Sequence, residues 1–206
     1  MGTFHKLLKG LGSACALAGM AFVASSASAN LVPLFQSVTT AAGVSTFSYN
    51  ITIDNQEDVH TGDYFVIYDF DQYVPGSAVA PAGWTVTVAN SGPIPAGLVL
   101  ANGPDSASLP NLEVMYTGSA TILGPSSGPP VSLGAFTAQS TAPFIEAGQY
   151  ASEAHFQTNL GGAGDKNQGI TTVPTAGVTP EGSSLALLLP GLVPVGLALR
   201  RRIKRA

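Results

Sequence analysis

Ser45-Thr46-Phe47-Ser48-Tyr49-Asn50-Ile51-Thr52-Ile53 alternates without a break: Phe47, Tyr49, Ile51 and Ile53 fall on one side, and Ser48, Asn50 and Thr52 on the other. Successive side chains of an extended chain point to opposite faces. A period of two with one apolar and one polar face is therefore an antiparallel strand laid over a core. Asp54-Asn55-Gln56-Glu57-Asp58 breaks the pattern and reads as a polar turn. Residues 63–70 carry aromatic and β-branched side chains on both faces, as a central strand would. Further strands are expected at 84–89, 98–101, 112–117, 131–139 and 150–158, and 119–123 could pair with the strand before it. Pro75-Gly76, Pro81-Ala82-Gly83, Ser91-Gly92-Pro93 and Gly103-Pro104-Asp105 supply turn chemistry between them. No stretch keeps a helical period over three turns.

This pattern predicts an all-β fold, an antiparallel β-sandwich of immunoglobulin-like or jelly-roll type over residues 30–159. Trp84 is its expected large core residue. Residues 160–178, with Gly161-Gly162-Ala163-Gly164, read as a flexible linker. Composition agrees with this reading. Gly and Pro make up 39 of 206 residues and only 10% are charged, against about 25% charged in ordinary chains. A helical bundle, a coiled coil and a highly charged disordered tail are thereby excluded.

Charge is segregated along the chain. Lys6 and Lys9 lie near the start, Arg200, Arg201, Arg202, Lys204 and Arg205 at the end, and Lys166 alone lies between. Residues 30–179 set eleven acids against that one lysine. Nucleic-acid affinity comes mainly from Lys and Arg releasing counterions from phosphates, so the middle segment is no nucleic-acid binder.

Both ends carry membrane signals. A short basic start is followed by an apolar stretch at 11–23 and by Ser25-Ser26-Ala27-Ser28-Ala29. Ala27 and Ala29 meet the small-residue requirement of signal peptidase, so 1–29 reads as a signal peptide cleaved before Asn30. Gly12 stands where a lipoprotein signal would place Leu before the modified Cys15. With the leader removed no Cys remains, and the mature domain folds without disulfides. At the other end, residues 185–199 form a 15-residue apolar run holding Pro190 and Pro194. At about 1.5 Å per residue it spans roughly 22 Å, short of the roughly 30 Å hydrocarbon core, although snorkelling arginines extend its reach. The cations that follow stay on the cytoplasmic side and place the preceding domain outside.

Pro180-Glu181, the apolar run at 185–199 and the basic cluster at 200–206 together resemble the PEP-CTERM sorting signal of bacterial surface proteins. Gly182 stands where the commonest form of that signal has Pro. The resemblance is confined to 179–206. It implies recognition of Pro180, Glu181 and Gly182 by an exosortase in the inner membrane, cleavage nearby, and release or transfer outward. It also implies a bacterium that makes extracellular polysaccharide.

Catalytic and metal signals are sparse. Gly124-Pro125-Ser126-Ser127-Gly128 formally satisfies G-x-S-x-G, but that nucleophile elbow needs a helix after it and Pro129-Pro130 follow at once. The segment reads as a loop. His155, two residues from Glu153 on one strand face, reads as half of a solvated surface pair. Oxygen-rich loops in an acidic domain suit calcium, a hard cation taking six to eight oxygens. The candidate ligands are Asp54, Glu57 and Asp58 in one loop, with Asp69 and Asp71 after the next strand. Gly161-Gly162-Ala163-Gly164-Asp165 approaches a calcium nonapeptide, but occurs once where stacked repeats are required.

These features predict an exported structural or adhesive element of the cell surface or extracellular matrix. A carbohydrate-binding module is the second expectation, with Tyr64, Tyr68, Tyr73 or Trp84 as exposed stacking platforms for extracellular polysaccharide. A matrix polysaccharide hydrolase is a third, and would need two carboxylates facing across a cleft.

Overall fold

The computed structural model describes residues 31–177, so the leader and the sorting tail of the sequence reading lie outside the described residues. The strands are β1 (Val32–Ala41), β2 (Val44–Ile53), β3 (Glu57–Val59), β4 (Tyr64–Ile67), β5 (Trp84–Ala89), β6 (Asn111–Tyr116), β7 (Ile122–Leu123), β8 (Val131–Ser140), β9 (Phe144–Phe156) and β10 (Gly164–Thr175). All pairings are antiparallel. A small sheet runs β1-β2-β8 and a large sheet β5-β6-β4-β9-β3-β7, with β10 added along β9. One turn of 3-10 helix, Thr158–Leu160, joins β9 to β10. Among the described residues no helix is long and apolar enough to cross a membrane.

The apolar face of β2 forms the floor of the core, as its alternation requires. Phe47, Tyr49, Ile51 and Ile53 are fully buried, together with Phe136 and Ala138 of β8. Facing them from the large sheet are Phe65, Ile67, Trp84, Leu112 and Val114. Phe136 is the junction, its ring centroid 5.9 Å from Tyr49 and 6.0 Å from Phe65. Trp84 packs 5.2 Å from Tyr116 and joins this core as expected. Each such side chain contributes about 1.5–3 kcal/mol on burial.

Buried residues on both faces of β4 have a direct explanation. Phe65 and Ile67 enter the main core, while Val66 points the other way into a second cluster with Tyr68, Leu100 and Ala151. Residues 98–101 are therefore not the expected strand. They are a loop laid over the back of the large sheet, and Leu100 is its plug.

Three further expectations are corrected. The polar turn at 54–58 is tighter than expected: the chain reverses at Asn55-Gln56, with Gln56 at φ 68°, and Glu57 and Asp58 already belong to β3. Ile122 and Leu123 pair with Val59 and Asp58, not with the preceding strand. Most of the expected linker at 160–178 is strand, because β10 pairs residue for residue with β9 from Gly164↔His155 to Thr175↔Phe144. The Tyr49 hydroxyl donates to the Thr172 carbonyl at 2.7 Å, and Thr171 Oγ1 to the Pro33 carbonyl at 3.0 Å. These bonds tie β10 to the small sheet, so the described domain extends to Thr175.

Candidate functional site

Most of the ionisable side chains that meet in space do so at one end of the large sheet. There β3, the end of β9, the start of β10 and the turn before β4 converge. Register places Asp58 opposite His155 on one side of β9, and Gly164 opposite His155 on the other. His60 to Asp63 turn the chain into β4, with Asp63 N–H donating to the His60 carbonyl at 3.0 Å.

Asp63, 3% exposed, is the hub. Its Oδ2 accepts the His60 backbone N–H at 2.7 Å, and its carboxylate accepts His155 Nδ1–H at 2.9 Å. The imidazoles of His60 and His155 stack at 4.4 Å with 20° between planes. His155 is thus held in one tautomer by a buried carboxylate. It is not the solvated partner of Glu153 that the sequence suggested. Among the described residues no Ser or Thr hydroxyl is hydrogen-bonded to either imidazole.

Glu57, 1% exposed, lies next to this hub. Its carboxyl is pushed up to about 9, chiefly by burial, then by the charge of Asp165 and a hydrogen bond to it, and then by Asp58 and Asp54. At neutral pH Glu57 therefore holds its proton. Asp58 Oδ1 accepts the Gly124 N–H at 3.2 Å, and the Glu57 carbonyl accepts the same N–H at 2.9 Å. Gly124 sits so close that an added Cβ would fall 2.2 Å from the Glu57 carbonyl oxygen. The G-x-S-x-G segment is consequently a loop clamped to β3, with no helix after it. A shallow groove of about 400 Å³ lies here, lined by Asp58, Gly124, Ser126 and Gln157 among others.

The other candidate calcium ligands lie elsewhere. Tyr68, next to Asp69, bonds through its N–H to the Gln149 carbonyl, whereas Asp58 stands opposite His155. Six residues of β9 at about 3.3 Å each separate the two groups by roughly 20 Å, so the five acids do not form one site. Asp69 Oδ1 accepts the Ser106 N–H at 3.1 Å, and Asp71 Oδ2 the Ala176 N–H at 2.6 Å. Burial raises the Asp69 carboxyl despite its Ser106 hydrogen bond, and Asp105 and Glu146 add to the rise. Asp54 Oδ1 caps its own turn at the Asn55 N–H, 2.8 Å away. Among the described residues no group of three or more His, Asp or Glu is placed to hold a metal ion.

The proposed stacking aromatics are spent on the fold. Tyr68 is fully buried with its hydroxyl donating to the Pro93 carbonyl at 2.7 Å, and Trp84 is 8% exposed. Tyr64 is half-buried against the Val66 cluster and Tyr73 against Phe70. Among the described residues Phe144 alone has an exposed aromatic ring, so no coplanar row forms. Nor do Glu57 and Asp165, in hydrogen-bond contact, have the wider separation that glycosidase carboxylates need.

Asp63, Asp165 and His60 were not singled out from sequence as a cluster. Asp165 sat in a presumed linker, and only the β9–β10 register brings it to Glu57. No family model, curated protein or solved structure matches the chain.

Proposed function

We propose that this chain is an exported cell-surface or extracellular-matrix protein, sorted through its C-terminal signal, whose domain serves a structural or adhesive role. The carrying observation is the order Pro180-Glu181-Gly182, apolar run 185–199, then Arg200, Arg201, Arg202, Lys204 and Arg205. An exosortase-type enzyme and signal peptidase are its processing partners, and the inner membrane holds it until the tail is cut. The domain is read as a sandwich of immunoglobulin-like or jelly-roll type. Its acids serve largely as caps and staples for loops, which suits a scaffold better than a reaction centre.

Intact mass and cell fraction of the protein made in its own host test this reading. A mass lacking residues 1–29 and everything after about Glu181 supports a processed sorting substrate. Retention of the terminal arginines in the membrane fraction makes the tail a plain anchor and removes the exosortase from the account.

A further inference from the structure

β1 pairs with β2 alone, so it is the outer strand of the small sheet. Half of the backbone N–H and C=O groups of such a strand face away from its single neighbour and template further pairing. Its first part is closed off, since the Pro33 carbonyl accepts Thr171 Oγ1 of β10. The register then slips between Phe35 and Ser37. Beyond that bulge Ser37, Thr39, Thr40 and Ala41 are exposed and Val38 is half-buried. This open edge holds no Pro and no charged residue, the usual devices that block strand addition.

The other edges are managed. The outer side of β8 is bridged by Val79 and Thr137, with reciprocal N–H···O bonds of 2.8 and 2.9 Å, and by Tyr73 and Ser140. β10 carries Asp165, Lys166 and Pro174. β7 is two residues long. β5 is uncharged, but Glu113 of its neighbour stands opposite Thr87, so a copy laid against this edge would bring two carboxylates toward each other.

Charge selects the occupant. Residues 31–53 contain no Asp, Glu, Lys, Arg or His, in a domain of eleven acids and one lysine. A cationic partner would be drawn to the acidic loops, not here. Two copies of this acidic domain repel each other over most of their surface, but β1 against β1 opposes Ser, Thr and Val with no like charges. Thr–Thr and β-branched cross-strand pairs are favourable, and an antiparallel strand pair is self-complementary about a two-fold axis.

We propose that residues 37–41 of β1 pair antiparallel with the same residues of a second copy, joining two three-stranded sheets into one six-stranded sheet. This goes beyond the sorting reading and does not depend on it.

The test uses the full chain in non-ionic detergent, in a Cys15→Ser background. Single cysteines are placed by Ser37→Cys, Thr39→Cys and Ala41→Cys, with Thr85→Cys on β5 as the control. A two-fold axis brings one position against its own copy, and a disulfide needs Cα atoms within about 7 Å. Oxidation is expected to link Thr39→Cys, at the centre of the paired segment, efficiently and to leave Ser37→Cys, Ala41→Cys and the control monomeric. Light scattering should show a dimer that Thr39→Lys weakens at least about tenfold, because two like charges then meet at the axis. Thr46→Lys, one strand inward on β2 opposite Thr39, should leave the dimer intact. Monomer at every concentration overturns the proposal. So does crosslinking without position dependence, which would mark association through the tail, and so does equal disruption by Thr46→Lys, which would make the sheet face the contact.

Discussion

The strands of the small sheet, β1, β2 and β8, contain no Asp, Glu, Lys, Arg or His, whereas β3, β6, β9 and β10 of the large sheet carry ionisable groups along their length. The two sheets share one core, so the difference does not come from burial. The small sheet closes its polar side with neutral contacts, such as Gln139 Nε2 donating to Thr46 Oγ1 at 3.2 Å and Ser132 Oγ donating to Asn50 Oδ1. The large sheet buries acids at its end and hydrogen-bonds them to backbone N–H groups, a histidine and each other. Neutral contacts hold at any pH, while buried carboxyls make stability depend on proton binding. One sheet is therefore insulated from solution conditions and the other is coupled to them.

Phe136→Ala attacks the core that the sheets share and should have the largest effect, about 3–5 kcal/mol. Urea unfolding followed by Trp84 fluorescence should show one transition at lower midpoint. A surviving large-sheet transition would mean that the sheets fold separately. Gly124→Ala strikes the acidic end alone. A Cβ there meets the Glu57 and Asp54 carbonyl oxygens at 2.2 and 2.9 Å, and overpacking against backbone costs roughly 1–3 kcal/mol. The same urea titration checks it.

The pH response sharpens the contrast further. Glu57 titrates near 4.5, the ordinary glutamate value, when unfolded and near 9 when folded. Between those values the folded state binds the extra proton, so this contribution to stability is full below about 4.5 and lost as pH rises through about 9. Thermal melts across that window should fall with rising pH, and Glu57→Gln should flatten the slope. An unchanged slope would remove Glu57 as its source. The smallest effect belongs to the small sheet. Its β1–β2 turn places Ala42 at φ 50° and Gly43 at φ 79°, and left-handed geometry strains a residue with a Cβ. Ala42→Gly should stabilise by about 0.5–1 kcal/mol, equally at every pH.

Strands with a clean alternation or dense aromatics were legible in the sequence. Phe47 to Ile53, Trp84 to Ala89 and residues 131–139 all fall in strands close to the bounds expected. β1 was missed because Pro33 and the bulge at Gln36 shift its phase midway, so no single period spans it. β10 was missed because Gly-Asp-Lys-Asn-Gln-Gly looks like loop chemistry, and its reason to be extended is the partner β9, not its own composition. The acids of 54–58 stood out by residue type. Their roles did not, since Asp165 reaches Glu57 only through the β9–β10 register and Asp63 reaches His155 only through the β4–β9 register. Residues 98–101 show the converse error: an apolar run marks burial, but Leu100 buries as a plug on the sheet, not as part of it.

Under the proposed attachment through the C-terminal segment, β10 has a mechanical consequence. Any load applied through the residues after Gly177 reaches the end of this strand first. The Ala176 N–H bond to Asp71 Oδ2 lies at that point, as does Gly177, where an added Cβ would fall 3.0 Å from the Phe144 ring. A pull across the sheet opens the β9–β10 ladder one bond at a time from Thr175, whereas a pull along the strand loads its twelve pairs together. The angle at which such a tether would leave the domain thus sets how much force the attachment would bear before the outermost strand peels away.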